Sequence, residues 1–594
     1  MCGFIGIFGN FNNSSNIKNI DKSLDYIKHR GPDDRSTYFD KNISLGFQRL
    51  SIQDLSKNGN QPMTDISKRY VIVFNGEIYN FVFLRKLLLE KNYKFKSKTD
   101  TEVLLNLYIE FKEKCLDYLE GMFAFCIYDK LKKNIFLARD NFGIKPLYFV
   151  KTLSKNLLFG SELKAFYPFI KSEKIDWIAN ESKFSEQINF RSIAGNETLI
   201  KDVKKLNPGE YLFGKIGSFL VKKYYNYENH LINKQFKYSH KKFLDEVDNQ
   251  LFLTVKKHMI SDVPIGVALS GGLDSSLLVN YMYKKSKNIN TFSVNFREKE
   301  RPGSIIDESE YINYIQKKFN TKHKSITLTE NNYKKNFLKC LWHNDEPINF
   351  PHTPGIFLLS KLAKANNVKV LLGGEGADEL FAGYTNFLNQ KLNVDFLSTS
   401  NFNSKSSVIK NYKKKIEVRE NYIKNLRGNL INKKIKYSIL TYLQSIENRL
   451  DKMSMANSIE FRVPFLDKKL FELSQLNNTQ KNFYSKKYSK YLLRKIAEKY
   501  FKKKHIYRPK VGFSVPINNW MRNSSGFGEY VSILSEKKTL NRSIYNSKKI
   551  LELIKNFKKY PNESHNYSNA GKIWNLLNLE LWIRSFVEKK DELK

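Results

Sequence analysis

Apolar and polar positions change rhythm near residue 210 of this 594-residue chain. Before it, short apolar runs alternate with turns. "RYVIVFNGEIYNF" is a β-rich run, and its Asn75-Gly76 dipeptide predicts a turn at its end. "GMFAFCIYD" and "NIFLARD" predict two strands joined through Lys130–Lys133, and "NLLFGSELKAF" a strand leading toward a helix. "FVFLRKLLLEKNY" and "TEVLLNLYIEFKE" repeat apolar residues at helical spacing. The prediction is an α+β domain with stacked sheets over residues 2–210, closed by a turn at Asn207, Pro208 and Gly209. "IGSFLVKKYYNY" reads as a strand and linker, giving a linker over 211–235.

The second half, 236–594, has another texture. "VPIGVALSGGLDSSLLVNYMYKKS" is an apolar strand, a glycine turn and an apolar helix. "NTFSVNF" and "HKSITLT" are strands, and "VKVLLGGEGADELFAG" is again strand, glycine turn and acidic helix start. Strands alternating with helices predict a parallel, doubly wound sheet. After about Tyr384 the pattern is mostly helical and Lys-rich.

Composition narrows the class. No run of about 18 apolar residues predicts a membrane span, and no basic-then-apolar start predicts a secretory signal. Cys2, Cys115, Cys126 and Cys340 follow no metal or redox spacing, which fits a reducing cytoplasm. The net charge of +42 raises nucleic acid as a partner. Its lysines are spread along the chain, and the short runs at Lys413–Lys415 and Lys502–Lys504 accompany no stacking-aromatic motif. A solvated basic surface is the reading, with no specific nucleic-acid partner and only salt-sensitive, nonspecific polyanion binding.

Two glycine loops carry chemistry. In "SGGLDSS", Gly271 and Gly272 let backbone N–H groups approach an anion, the following helix adds its positive end, and Ser270, Ser275 and Ser276 offer hydroxyls. A plain turn before a helix explains the glycines but not Asp274. A carboxylate beside phosphates calls for Mg²⁺ between them. There is no Walker lysine; S-G-G-x-D-S after a strand resembles the pyrophosphate loop of ATP pyrophosphatases, which cleave between the α and β phosphates. "GGEGADELFAGY" places Glu375, Asp378 and Glu379 at the end of another strand. Asp378 is expected to face Asp274 across Mg²⁺, and Glu375 to act as a base or orient an amine.

At the start, "MCGFIGIF" puts a thiol at position 2. One reading is a small buried hydrophobe on an edge strand. The other needs Met1 removed. Cys2 then carries an α-amine of pKa near ~7.7–8.0, able to take its thiol proton. The thiolate could attack a carboxamide, with the Asn75 side chain and the Gly76 N–H as oxyanion hole. Arg49 can clamp a carboxylate and Asp100 can take an ammonium.

Together with "HRGPDD", "RLSIQDL", "TDTEVLL", "ARDNFGIKPLYF", "NRLDKMSMANSIEFRVPFLD" and "RPKVGFSVP", these motifs resemble the B-type glutamine-dependent asparagine synthetases over nearly the whole chain. The resemblance implies an N-terminal nucleophile hydrolase domain that cleaves glutamine, and a PP-loop ATP pyrophosphatase domain with a helical C-terminal part. Between them ammonia passes internally to an acyl-adenylate made from ATP, Mg²⁺ and a carboxylate, aspartate first. It implies Cys2 as nucleophile, Asn75 and Gly76 as oxyanion hole, and Arg49, Asn75, Glu77 and Asp100 as glutamine ligands. It also implies Leu269, Ser270, Gly271, Gly272, Asp274, Ser275, Val294, Gly373, Gly374 and Lys510 at ATP, Asp274 and Asp378 on Mg²⁺, and Glu375 on the ammonia proton. A homodimer is one assembly it allows.

Three departures stand out: Gln48 before Arg49, Gly373 where serine is common, and "RPKVGFSVPINNW", which is similar to relatives thought to amidate sugar acids of surface polysaccharides. A uronic acid is therefore the alternative acceptor. A β-lactam-forming relative lacks the cysteine, and a noncatalytic regulator does not account for the intact motifs.

Overall fold

A computed structural model describes the chain except residues 1, 11–12, 231–238, 297–307, 389–390, 401, 403–405, 411–415, 477–487, 509–514, 561–567 and 589–594. In the first half the strands are β1 (Gly3–Phe8), β2 (Asp34–Asp40), β3 (Ile43–Arg49), β4 (Met63–Thr64), β5 (Tyr70–Ile78), β6 (Gly121–Asp129), β7 (Asn134–Arg139), β8 (Tyr148–Lys151), β9 (Leu157–Gly160), β10 (Lys204–Lys205), β11 (Glu210–Lys215) and β12 (Ser218–Lys223). They form two six-stranded sheets, ordered β10-β8-β9-β1-β3-β2 and β12-β11-β7-β6-β5-β4.

Strand periodicity explains the layering. Along β1, Phe4 and Phe8 point between the sheets and pack with Leu45, Phe47, Val71 and Val73. Ile5 and Ile7 point the other way, toward Ile20 and Leu24 of α1 (Asn13–Tyr26). Along β5, Ile72 and Phe74 face α2 (Phe81–Leu89) and α3 (Asp100–Phe111), while Val71 and Val73 face the other sheet. A strand buried on both faces reads as a continuous apolar run, which is why "GFIGIF" shows no alternation. The result is helix, sheet, sheet, helix, with Cys2 at the mouth of β1.

Two sequence expectations are corrected here. Residues 211–223 are not linker: β11 pairs with β7 and carries β12 on its other edge. Their exposed, Lys-rich outer face gives them a linker's composition. Asn75-Gly76 is not a turn either. β5 runs through it to Ile78, with Asn75 opposite Ala124 and Gly76 opposite Phe123. Glycine is needed there for close approach, because a Cβ at Gly76 would lie 2.2 Å from the Met122 carbonyl oxygen.

The second half holds a parallel sheet of β13 (Ile265–Ala268), β14 (Asn290–Phe296), β15 (Lys322–Leu328), β16 (Val370–Leu372) and β17 (Glu460–Arg462), in the order β15-β14-β13-β16-β17. The order reverses at β13, so the loops after β13 and β16 meet at the carboxyl edge, where open α/β sheets bind ligands. β17 lies in a stretch expected to be helical; three residues are too few to show a period.

The halves share a buried ionic seam. Arg30 Nη1 donates to Glu162 at 2.8 Å and to Asp451 at 2.9 Å. Lys164 pairs with Asp345 at 2.6 Å, Lys145 with Asp451 at 3.3 Å, and Lys452 also with Asp345. Arg30, Lys145, Glu162 and Lys164 come from the first half; Asp345, Asp451 and Lys452 from the second. Charges so buried hold one another in place: without Asp451 or Asp345, Lys145 or Lys452 loses its carboxylate. Arg30 also donates through Nε to the Cys2 carbonyl at 3.0 Å, tying the seam to β1.

Candidate active sites

At the mouth of β1, the backbone N–H of Cys2 donates to Asn75 Oδ1 at 3.0 Å. That fixes the Asn75 amide, whose Nδ2 is then a buried donor with no partner among the described residues. A second donor stands beside it. The N–H and C=O of Phe123 are engaged with Asp140 on the β7 side. Antiparallel alternation therefore turns the Gly76 N–H away from β6. On that edge of β5 the flanking N–H groups are already taken, Phe74 by Gln61 Oε1 at 2.6 Å and Ile78 by Asp100 Oδ2 at 2.9 Å. Cys2 is buried and its thiol lies 3.9 Å from the Leu50 carbonyl. Burial pushes the thiol pKa up, against the pull of Arg49 nearby.

The other glutamine-site candidates gather around the same loop. Arg49 donates through Nη1 to Ser56 O at 2.8 Å and Asn60 Oδ1 at 2.6 Å, and through Nη2 to Asp54 O at 2.5 Å. Its fork thus organises loop 53–60 rather than standing open. Gln53 of that loop donates to Glu77 Oε1, and Arg462 of β17 reaches the other oxygen at 3.1 Å. Arg462 is already matched by Glu460 at 2.5 Å. Burial would raise Glu460, and the Arg462 guanidinium pulls it down. Glu77, the second acid on that guanidinium, is pushed well up by burial. Burial likewise lifts Asp100 to about 6. Gln48 is structural: its amide donates to Leu24 O at 3.0 Å and anchors α1.

The second site is a cavity of about 430 Å³ lined by Leu269, Ser270, Gly272, Asp274, Ser275, Val294, Gly374, Glu375 and Asp378. Gly271 lies at its edge with its carbonyl 3.1 Å from Arg508 Nη2. Gly373 sits behind, where a Cβ would come within 2.1 Å of the Phe461 ring, so a serine there needs that ring to shift. The loops after β13 and β16 touch: a Cβ on Gly374 would fall 2.9 Å from that of Asp274. Lys510 lies outside the described residues.

Lys490, which sequence reasoning missed, joins the two acids. Its Nζ is 2.6 Å from Asp274 Oδ2 and 2.8 Å from Asp378 Oδ1. Burial opposes its charge, but these carboxylates hold its pKa up. Asp274 and Asp378 therefore converge on one cationic point. Mg²⁺ takes one or two carboxylates and completes its shell with phosphate oxygens and water, so the pair fits it. Burial raises Glu375, and raises Glu379 to about 7 with help from Asp378. Arg449, also missed, lines the cavity beside Glu375 and stacks over Phe350 at 4.7 Å.

The family model described as a glutamine amidotransferase domain matches residues 1–225, and the asparagine synthase model matches residues 246–584. The glutamine-hydrolyzing asparagine synthetase 1 of Bacillus subtilis is 32% identical, covering 99% of this chain and 98% of its own. Asparagine synthetase 3 of the same organism is 27% identical over 90% of each. A putative asparagine synthetase 2 of Methanocaldococcus jannaschii is 35% identical over 66% of this chain and 76% of its own. No helix among the described residues is long and apolar enough to cross a membrane.

Proposed function

The chain belongs to the asparagine synthase family, and on that premise we propose that it hydrolyses glutamine at Cys2 and uses the ammonia to convert aspartate to asparagine at the expense of ATP. The observation that carries the first half-reaction is the Asn75 amide, fixed by Cys2 and left with one unused buried donor. With Met1 removed, the Cys2 amine takes the thiol proton, and the thiolate adds to the glutamine carboxamide. Asn75 Nδ2 and the Gly76 N–H receive the oxyanion, ammonia leaves, and water releases glutamate from the thioester. Asp100 and Glu77 are the acids available to the substrate ammonium. Arg49 is the carboxylate ligand, exchanging loop carbonyls for a stronger charge-assisted pair.

In the second half-reaction the aspartate side-chain carboxylate attacks the α-phosphorus of ATP and pyrophosphate leaves. Ser270, Gly272, Ser275 and Lys490 receive the phosphates, with Leu269, Val294 and Gly374 along the nucleotide, Gly271 and Gly373 shaping the loops, and Lys510 as a further phosphate contact. Asp274 and Asp378 would hold Mg²⁺, which when bound neutralises phosphate charge. Arg449 offers a partner for the acceptor's α-carboxylate. Ammonia then attacks the acyl carbon, AMP leaves, and Glu375, whose proton affinity burial has raised, takes the released proton.

A uronic-acid acceptor is not favoured, given a relative named for asparagine synthesis along 98% of its length. The four cysteines are buried free thiols, in keeping with a cytoplasmic home. A homodimer is the assembly we carry forward, to be weighed by light scattering. The test of function is pyrophosphate and AMP release from ATP and glutamine with aspartate against a panel of carboxylates. Cys2→Ala should abolish glutamine hydrolysis yet still make asparagine from ammonium. ADP as product, or hydrolysis surviving in Cys2→Ala, would refute the assignment.

A further inference from the structure

The cavity that contains Glu375 also holds an arginine that no acid matches. Arg449, on the helix Leu443–Met455, lines the cavity and is 5% exposed, with its guanidinium over the Phe350 ring at 4.7 Å. Arg30, Arg419 and Arg462 are as deeply buried, and each meets a carboxylate: Glu162 and Asp451, Glu186, and Glu460 with Glu77. Arg139 spends its fork on three carbonyls. Arg449 forms no ion pair among the described residues, and its Nε is buried without a partner. Glu375 is near enough for its charge to act on Arg449, but not within ion-pair distance.

Among the described residues the Arg449 side chain has one hydrogen-bond partner, His352. His352 precedes the helix Thr353–Ala365 and lines the same cavity. Arg449 Nη1 lies 2.5 Å from His352 Nε2. A guanidinium can only donate, so Nε2 must accept. His352 is therefore neutral, with its proton on Nδ1. Burial and the charges of Arg449 and Arg191 push its pKa well below the usual range, to the same end. A neutral partner holds the guanidinium without cancelling its charge. An acid in this place would form the pair itself and leave nothing for an incoming anion. A buried guanidinium without a counter-charge is costly, and a ligand carboxylate relieves that cost on binding.

We infer that His352 is a positioning residue for the acceptor: it holds Arg449 in the cavity wall through a neutral nitrogen, so that the charge is kept for a second carboxylate on the acceptor. No bond is made or broken at His352. The inference rests on the proposed function above, in which Arg449 meets the α-carboxylate of aspartate.

The test uses the full chain with His352→Gln and His352→Glu, two side chains of one shape whose end atoms reach where Nε2 stands, the first neutral and the second charged. Ammonium drives the reaction, and KM for aspartate, KM for ATP, kcat and Tm are read. His352→Gln offers Arg449 an amide oxygen and should keep KM for aspartate within about threefold of the parent. His352→Glu should raise it about a hundredfold, because its carboxylate takes the guanidinium in a charge-assisted pair. His352→Ala removes the hold without supplying a charge and should raise it about tenfold, the scale of one hydrogen bond to a charged group. KM for ATP should stay within about threefold in all three, and so should kcat in the glutamine and alanine variants, because the loss is in acceptor binding. A role in packing alone would lower Tm and leave the glutamine and glutamate variants with the same KM for aspartate. That result overturns the inference, as does an alanine variant with the parent's KM. If alanine does not fold, the glutamine and glutamate pair decides by itself. A parent that forms asparagine while the pair does not differ sinks this inference alone; a parent that forms none from aspartate and ammonium sinks the functional reading first.

Discussion

Replacing Asn75 by alanine separates the glutaminase reaction from everything downstream. The side chain has two tasks: Oδ1 accepts from Cys2 at 3.0 Å, and Nδ2 is the unused donor. Loss of one oxyanion donor costs about 10²–10³ in kcat, or about 2.7–4 kcal/mol of transition-state stabilisation. The Gly76 N–H remains as second donor, so hydrolysis should persist at the lower rate rather than vanish. Loss of the bond to Cys2 should cost about 1 kcal/mol of stability. Asn75→Asp keeps an acceptor for Cys2 but puts negative charge where the oxyanion forms, so it should be slower than alanine. The assay is initial glutamate formation at saturating glutamine, beside asparagine formation from ammonium in the same preparations. A glutaminase kcat within about threefold of the parent, against the loss expected for an oxyanion donor, would refute the reasoning. So would an ammonium-driven rate that falls in step with it.

Three further outcomes are expected. Asp100 has a folded pKa of about 6, above its unfolded value, so its stability contribution is full below about pH 4 and is lost as pH rises through 6. Asp100→Asn should therefore gain in Tm relative to the parent as pH climbs from 4 to 7, while its KM for glutamine rises; a Tm difference flat in pH would contradict this. Lys490→Met leaves Asp274 and Asp378 facing each other across the phosphate site and should slow pyrophosphate release about 10²-fold, with glutaminase intact in the same sample. Asp345→Ala strands the buried ammonium of Lys452 and leaves Lys164 with Glu162 alone, and should cost about 3–5 kcal/mol in urea unfolding; a cost under 1 kcal/mol would mean the seam relaxes freely.

The chemistry of both sites was legible where a motif concentrates it. "SGGLDSS" and "GGEGADE" each follow a strand, and the doubly wound order brings them together. What sequence concealed came from distant elements. Lys490 is one of 101 basic residues, and nothing in its surroundings distinguishes it. Arg449 sits on a helix buried on all sides, where polar residues mimic a solvated face. Arg462 lies in a strand of three residues. Asn75-Gly76 has a turn's composition, yet the glycine serves strand-to-strand contact, a need that only the opposing Met122 carbonyl reveals.

The ionic seam also limits how this architecture can be recombined. A hybrid that joined the first half to a relative's second half would match or fail at Arg30, Lys145, Glu162 and Lys164 against Asp345, Asp451 and Lys452. Asp345 and Asp451 are the least exchangeable, since a neutral residue at either leaves Lys452 or Lys145 without its carboxylate away from water. They are matched to one another and are best transplanted as a set. An active chimera is expected only when the graft carries both sides of that set, wherever in the intervening chain the crossover is made.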